Sequence, residues 1–217
     1  MGIFELMGEY QDALVEGTLI TLRMAVLSYL LAFVVGNVVA GCRVSPVPVL
    51  QRFAMAYVSL FRNTPLIVLG ILVWVGGGRA GWPFGRLTTA IVVLGLYTGA
   101  YVAESLRSGI NAVPVGQAEA ARAIGLGFSQ VLGQIVLPQA IRTVVPPLGN
   151  LWIANLKNTS VFLVIGIDEL TRVGRIVGSN IANYVNAFTV IALIYLALVY
   201  GSAQIIGWIE RRVAIAR

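Results

Sequence analysis

Five apolar stretches, each long enough to cross the hydrocarbon of a bilayer, alternate along this chain with short polar segments. The first, residues 14–41, is interrupted only by Thr18, Thr21, Arg23, Ser28 and Asn37. Arg23 lies near its start and can snorkel to the interface. A basic loop follows, in which Pro46 and Pro48 prevent the helix from continuing. The second stretch, residues 50–76, holds Phe61, Arg62, Asn63, Thr64 and Pro65 within apolar sequence and meets a stop at Gly76, Gly77 and Gly78. A proline preceded by three polar residues breaks backbone hydrogen bonding, which lipid tolerates only where protein or a water-filled cavity covers the break. The third, residues 87–110, carries Gly95 and Gly99 at a spacing that permits close helix contact, then Glu104 and Arg107 placed to pair on one helix face. The fourth, residues 141–167, has Pro146 and Pro147 early and the polar set Asn155, Lys157, Asn158, Thr159 and Ser160 at its centre. A polar connection suited to an interfacial helix leads to the fifth, residues 184–209, which ends at Glu210, Arg211 and Arg212.

One segment departs from this alternation. In residues 114–138, Pro114 can open a helix over 115–124 because its missing N–H would be unpaired there anyway. Gly125 can close that helix in the left-handed conformation, and Gly127 frees the backbone to turn into a second helix, 128–137, stopped by Pro138. Ala120, Ala121 and Ala123 leave little side-chain bulk, so another protein's surface can approach closely. The pattern therefore predicts a docking hairpin between two spans.

Composition agrees with a membrane protein: 58% of the 217 residues are hydrophobic, only 11% are charged, and the mean hydropathy is +0.87. The net charge of +6 comes from scattered residues and forms no basic block, which argues against nucleic acid. With no histidine and a single cysteine, Cys42, a disulfide within the chain is excluded and a zinc or haem site is not expected. The start carries Glu5, Glu9, Asp12 and Glu16 and lacks a basic region, so the first span is expected to stay in the mature protein. Placing the N-terminus outside puts Arg43, Arg52, Arg107, Arg122, Arg142, Arg211, Arg212 and Arg217 in the cytoplasm, against Arg79, Arg86, Arg172 and Arg175 outside. Eight against four predicts N-out and C-in, with the hairpin in the cytoplasm.

The hairpin spacing, with Glu119, Ala120 and Ala121, then Gly125, Ile135, Leu137 and Pro138, resembles the cytoplasmic loop of bacterial ABC importer permeases. Gly17 to Leu22, Phe61 to Leu66, Tyr101 to Ile110 and Lys157 to Ser160 resemble further signatures of the polar amino-acid uptake group, with Asn63 standing where glycine is usual. The resemblance implies an all-α permease of the type I importer fold in a single domain over residues 1–217, multi-pass in the bacterial cytoplasmic membrane. It implies that the hairpin is a coupling helix, in which Glu119 and Arg122 contact an ATPase, Ala120 and Ala121 allow close approach, and Gly125 makes the bend. It implies three kinds of partner: a cytoplasmic ATPase dimer that binds ATP and Mg, a second permease subunit, and an extracytoplasmic substrate-binding protein. No cofactor and no chemistry are expected of this chain, which lacks a phosphate-binding loop.

Polar groups at depth need partners or a pathway, which marks Arg62, Asn63, Thr64, Asn155, Lys157, Asn158, Thr159 and Ser160 as pathway candidates. Arg62 and Lys157 make that pathway cationic, which suits glutamate or aspartate better than arginine. Glutamine or a basic amino acid is the alternative cargo. A secondary transporter or channel would instead need no ATPase and would be indifferent to changes in residues 119–125. An intramembrane enzyme would need convergent catalytic groups, and none is present.

Overall fold

Apolar runs of this length leave the backbone no water to bond with, so each satisfies itself as a helix. The computed structural model describes residues 2–81 and 83–213, and among them it contains helices and no strand; Trp82 and Arg217 lie outside the described residues. We label the helices in chain order: α1 (Ile3–Glu9), α2 (Gln11–Val44), α3 (Pro48–Asn63), α4 (Leu66–Arg79), α5 (Arg86–Asn111), α6 (Val115–Ala123), α7 (Phe128–Ile165), α8 (Leu170–Asn180) and α9 (Tyr184–Val213). Four of them, α2, α5, α7 and α9, are long and apolar enough to span a membrane.

The second apolar stretch breaks where expected but far more sharply than a kinked span. Residues Thr64 and Pro65 separate α3 from α4, whose axes differ by 103°. The ring of Pro65 forces Thr64 into an extended conformation, and the Thr64 hydroxyl donates to the Leu60 carbonyl at 2.8 Å, closing the end of α3. The glycines expected to stop this stretch do not: a π-helical turn, Leu72–Gly76, carries the helix on to Arg79.

The centre of the fold is the contact of α2 with α5, made close by glycine. A β-carbon on Gly36 would lie 2.4 Å from a Val102 methyl and 3.2 Å from the Ala103 amide, and one on Gly95 would lie 2.7 Å from Leu31. Gly99 sits against Val35 and the Tyr57 hydroxyl. The expected small-residue contact is therefore present, and the partner of α5 is α2. Around this seam Met24, Leu66, Leu94, Phe162 and Ile165 form one buried cluster, and Leu6, Leu14, Leu170, Val177 and Val190 another.

Polar clips tie the apolar helices together. The buried Asn155 amide donates to the Ala25 carbonyl at 2.9 Å, and its oxygen accepts from the Thr98 hydroxyl at 3.0 Å, joining α7, α2 and α5. Tyr57 donates to the Leu96 carbonyl and Tyr29 to the Leu148 carbonyl, each at 2.6 Å. Thr21 accepts from the Leu170 amide at the start of α8.

Helix α8 begins at a buried carboxylate. Glu169 caps it, accepting from the Thr171 and Arg172 amides at 2.9 and 2.8 Å and from the Tyr195 hydroxyl at 3.1 Å. Burial pushes its pKa up, and these hydrogen bonds pull it only part of the way back. The folded protein thus holds the Glu169 proton more tightly than the unfolded chain does. This group's contribution is therefore most favourable at acid pH and declines as pH rises from the ordinary carboxylate range through its own raised value. Glu169→Gln is expected to keep an accepting oxygen at the cap and flatten that decline. Glu169→Ala is expected to cost about 1–2 kcal/mol at any pH through the lost cap. Thermal unfolding of the detergent-purified protein across pH reads both.

Candidate functional site: a docking hairpin and two polar clefts

The hairpin forms as the sequence predicts at its bend and differs in its second arm. Gly125 adopts φ +88°, the Leu126 amide reaches back to the Ala121 carbonyl at 3.2 Å, and the Gly125 amide bonds the Arg122 carbonyl at 3.0 Å. This pair of bonds is the Schellman closure of α6. Pro138, expected to end the second arm, lies inside α7 instead. The six residues before Leu137, Val131–Val136, wind as a π-helix, and the Leu137 amide donates five residues back to Leu132. That wider turn accommodates the Pro138 ring, which would clash with the carbonyl four residues before it in an α-turn, and the helix also continues through Pro146 and Pro147. The second arm and the fourth span are one helical run of 38 residues, roughly 57 Å at the α-helical rise.

The hairpin surface is unusual for a segment outside the spans. Glu119, Ala120, Arg122 and Gly125 are exposed, and beside them Val115, Ile124 and Phe128 are 70%, 80% and 81% exposed. Ala121 is buried, as is Val131 on the facing arm. The apolar residues Ile124 and Phe128 were missed as site candidates; their place beside the two glycines of a polar turn was the available signal.

The pathway candidates separate into three groups. Arg62 and Asn63 border a cleft of about 500 Å³ with Arg43, Tyr101 and Glu104. There the Arg62 guanidinium stands 5.4 Å from the Tyr101 ring centre, while Glu104 pairs with Arg107 at 2.6 Å and Arg43 at 3.6 Å. The Glu104–Arg107 pairing expected along one helix face is present, and Arg43 joins it from α2. Lys157 and Ser160 border a second cleft, about 330 Å³, with Thr171, Phe188 and Tyr195. Asn158 is partly buried beside them. The third group, Asn155 and Thr159, is fully buried with partners inside the chain, Thr159 donating to the Leu156 carbonyl at 2.7 Å. Thr64 spends its hydroxyl on the end of α3. For Asn155, Thr159 and Thr64 the sequence reason, a polar group at depth, is answered by helix joining and helix ends.

Four helices long and apolar enough to span, with an exposed, partly apolar hairpin leading into one of them, define the class as a helical membrane protein. The comparisons give the family. Residues 18–215 match the family of binding-protein-dependent transport system inner membrane components, and the chain belongs to it. It is 39% identical to the glutamate transport system permease protein GluC of Corynebacterium efficiens, with 81% of each chain covered. It is 34% identical to the probable glutamine ABC transporter permease protein GlnM of Bacillus subtilis, with 91% of each covered. Among solved structures it superposes on an amino acid ABC transporter crystallised with histidines at a TM-score of 0.89 and 32% identity, covering 95% of this chain and 96% of that one. The MetNI methionine ABC transporter in inward-facing conformations shares the fold, with a TM-score of 0.78, 24% identity, and 95% of this chain and 99% of that one covered. The chain is thus the non-catalytic permease component of an ABC amino-acid importer, a multi-pass inner-membrane protein.

Proposed function

We propose that this permease imports an acidic amino acid, glutamate or aspartate, with its N-terminus outside and its hairpin in the cytoplasm. A partner ATPase dimer that binds ATP and Mg grips Ile124, Phe128, Glu119 and Arg122. A second permease subunit completes the pathway, and an extracytoplasmic binding protein delivers the cargo.

The observation that carries this reading is the continuity of α7: the helix whose first turns form the docking surface ends beside Lys157 and Ser160. Movement of the hairpin when ATP closes the ATPase pair is therefore transmitted along one helix to the cationic cleft. At its far end the helix tightens into a 3-10 turn, Thr159–Ile165, and reverses at Gly166 with φ +83°. Such a tightened turn is a common hinge, and it lets the Lys157 segment shift against α8 and α9.

Charge favours an anionic cargo. Lys157 makes no ion pair among the described residues, and in the other cleft the one carboxylate, Glu104, is already engaged by two arginines while Arg62 lines the cleft and is exposed. Relatives named for glutamate support the same choice, and relatives named for glutamine make glutamine the second reading. Uptake of labelled glutamate by cells with and without this gene separates them. Deletion is expected to abolish the component of uptake that unlabelled aspartate competes and arginine does not. Unchanged glutamate uptake with lost glutamine uptake would overturn the acidic cargo and leave the permease assignment standing.

A further inference from the structure

One apolar concavity shares no lining residue with either polar cleft. It is a groove of about 440 Å³ between α2, α7 and α9, walled by Phe33, Leu148, Trp152, Ile205, Ile206 and Ile209. It is built with care: the Tyr29 hydroxyl bonds the Leu148 carbonyl, Tyr29 meets Trp152 edge to face at 5.4 Å between centres, and Gly149 admits Ile206 where a β-carbon would lie 2.3 Å away. One wall residue, Val145, also lines a second concavity of about 310 Å³ at the C-terminal end of α9, bordered by Arg142, Pro146, Glu210 and Arg211. Arg142, Arg211 and Glu210 line it together, and none of the three forms an ion pair among the described residues. Just beside them Trp208 is 54% exposed, with Arg212 stacked 5.0 Å from its ring centre. An aromatic ring under an arginine suits the level of lipid headgroups, where tryptophan is enriched.

We infer that these adjoining concavities hold one anionic phospholipid, an acyl chain in the groove and the phosphate between Arg142 and Arg211. Charge selects the occupant. An apolar groove that adjoins two arginines at a span end, neither in an ion pair among the described residues, matches a chain attached to an anion, and basic pockets between spans are where such headgroups bind. On the proposed orientation the lipid belongs to the cytoplasmic leaflet, at the end of the α7 span nearest the hairpin, but the binding itself does not depend on orientation or cargo.

Native mass spectrometry of the intact purified transporter, titrated with phosphatidylglycerol or phosphatidylcholine, tests this. The unmodified complex is expected to retain phosphatidylglycerol preferentially. The Arg142→Gln, Arg211→Gln double variant is expected to lose about thirtyfold in phosphatidylglycerol affinity, each guanidinium near an anionic headgroup contributing a factor of roughly five. Phosphatidylcholine binding should be unmoved, and so should a control pair remote from the groove, Arg52→Gln with Arg175→Gln. No preference in the unmodified complex would overturn the inference, as would an equal loss in the control. Efficient disulfide-linked dimers from Ser202→Cys, made in a Cys42→Ala background, would also overturn it, because a second copy of the chain would then cover the groove.

Discussion

Replacing Ile124 and Phe128 together by aspartate is expected to abolish uptake, a loss of at least a hundredfold, while the protein still inserts and remains stable. Both side chains are about four-fifths exposed and contribute little to this chain's own core, so their removal costs little folding energy. Their value lies in a partner. Truncating an apolar anchor at the centre of an interface commonly costs 2 kcal/mol or more, and a buried unpaired carboxylate costs further. Two such changes remove several kcal/mol of docking energy, which at 1.4 kcal/mol per tenfold exceeds the stated loss. Uptake assays with immunoblots of the membrane fraction read both halves. Transport that survives, with both aspartates in place, would place the ATPase contact elsewhere.

The second large effect is structural. Gly36→Leu is expected to prevent stable insertion or to lower the unfolding temperature so far that no protein is recovered. A β-carbon at this position would already overlap the Val102 side chain at 2.4 and 2.6 Å and crowd the Ala103 backbone at 3.2 Å, so the two helices must separate. Overpacking of a tight core typically costs 1–3 kcal/mol, and here the displaced element is the helix seam itself. Gly41→Leu, on the same helix with open space around its backbone, is the matched control and is expected to express normally. Fluorescence-detected size-exclusion chromatography of both variants makes the comparison, and equal recovery would mean that α2 and α5 do not meet as described.

How much of this was legible beforehand follows from what each residue type can signal. Four of the five apolar stretches fall on helices long enough to span, because apolar length alone decides them, while the second is a bent pair of helices. The bend at Gly125 was readable because a glycine after a helical pattern has one conformation to offer that others do not. The small-residue pair Gly95 and Gly99 announced a close contact without naming its partner, since α2 presents its matching Gly36 with no motif around it. Proline was the misleading residue. Pro65 produced a bend of 103° where a broken span was expected, and Pro138 produced no break, because a π-turn upstream absorbed it. Sequence carries the presence of the ring, but the wider turn depends on packing around it. Polar residues at depth were ambiguous for a related reason: Asn155 and Lys157 look alike as interruptions, yet one is wholly enclosed by Ala25, Ser28 and Thr98 and the other opens onto a cleft. Only the relative rotation of α7 separates them, since residues two apart on a helix point in different directions.

The measurement that bears most directly on coupling is a photo-crosslink from position 128 in the intact transporter in its native membrane. A photoreactive amino acid in place of Phe128 is predicted to give one adduct, with the ATPase subunit, whose yield changes when ATP is bound. Adducts with lipid or with the chain itself, at the same yield with and without ATP, would contradict the account.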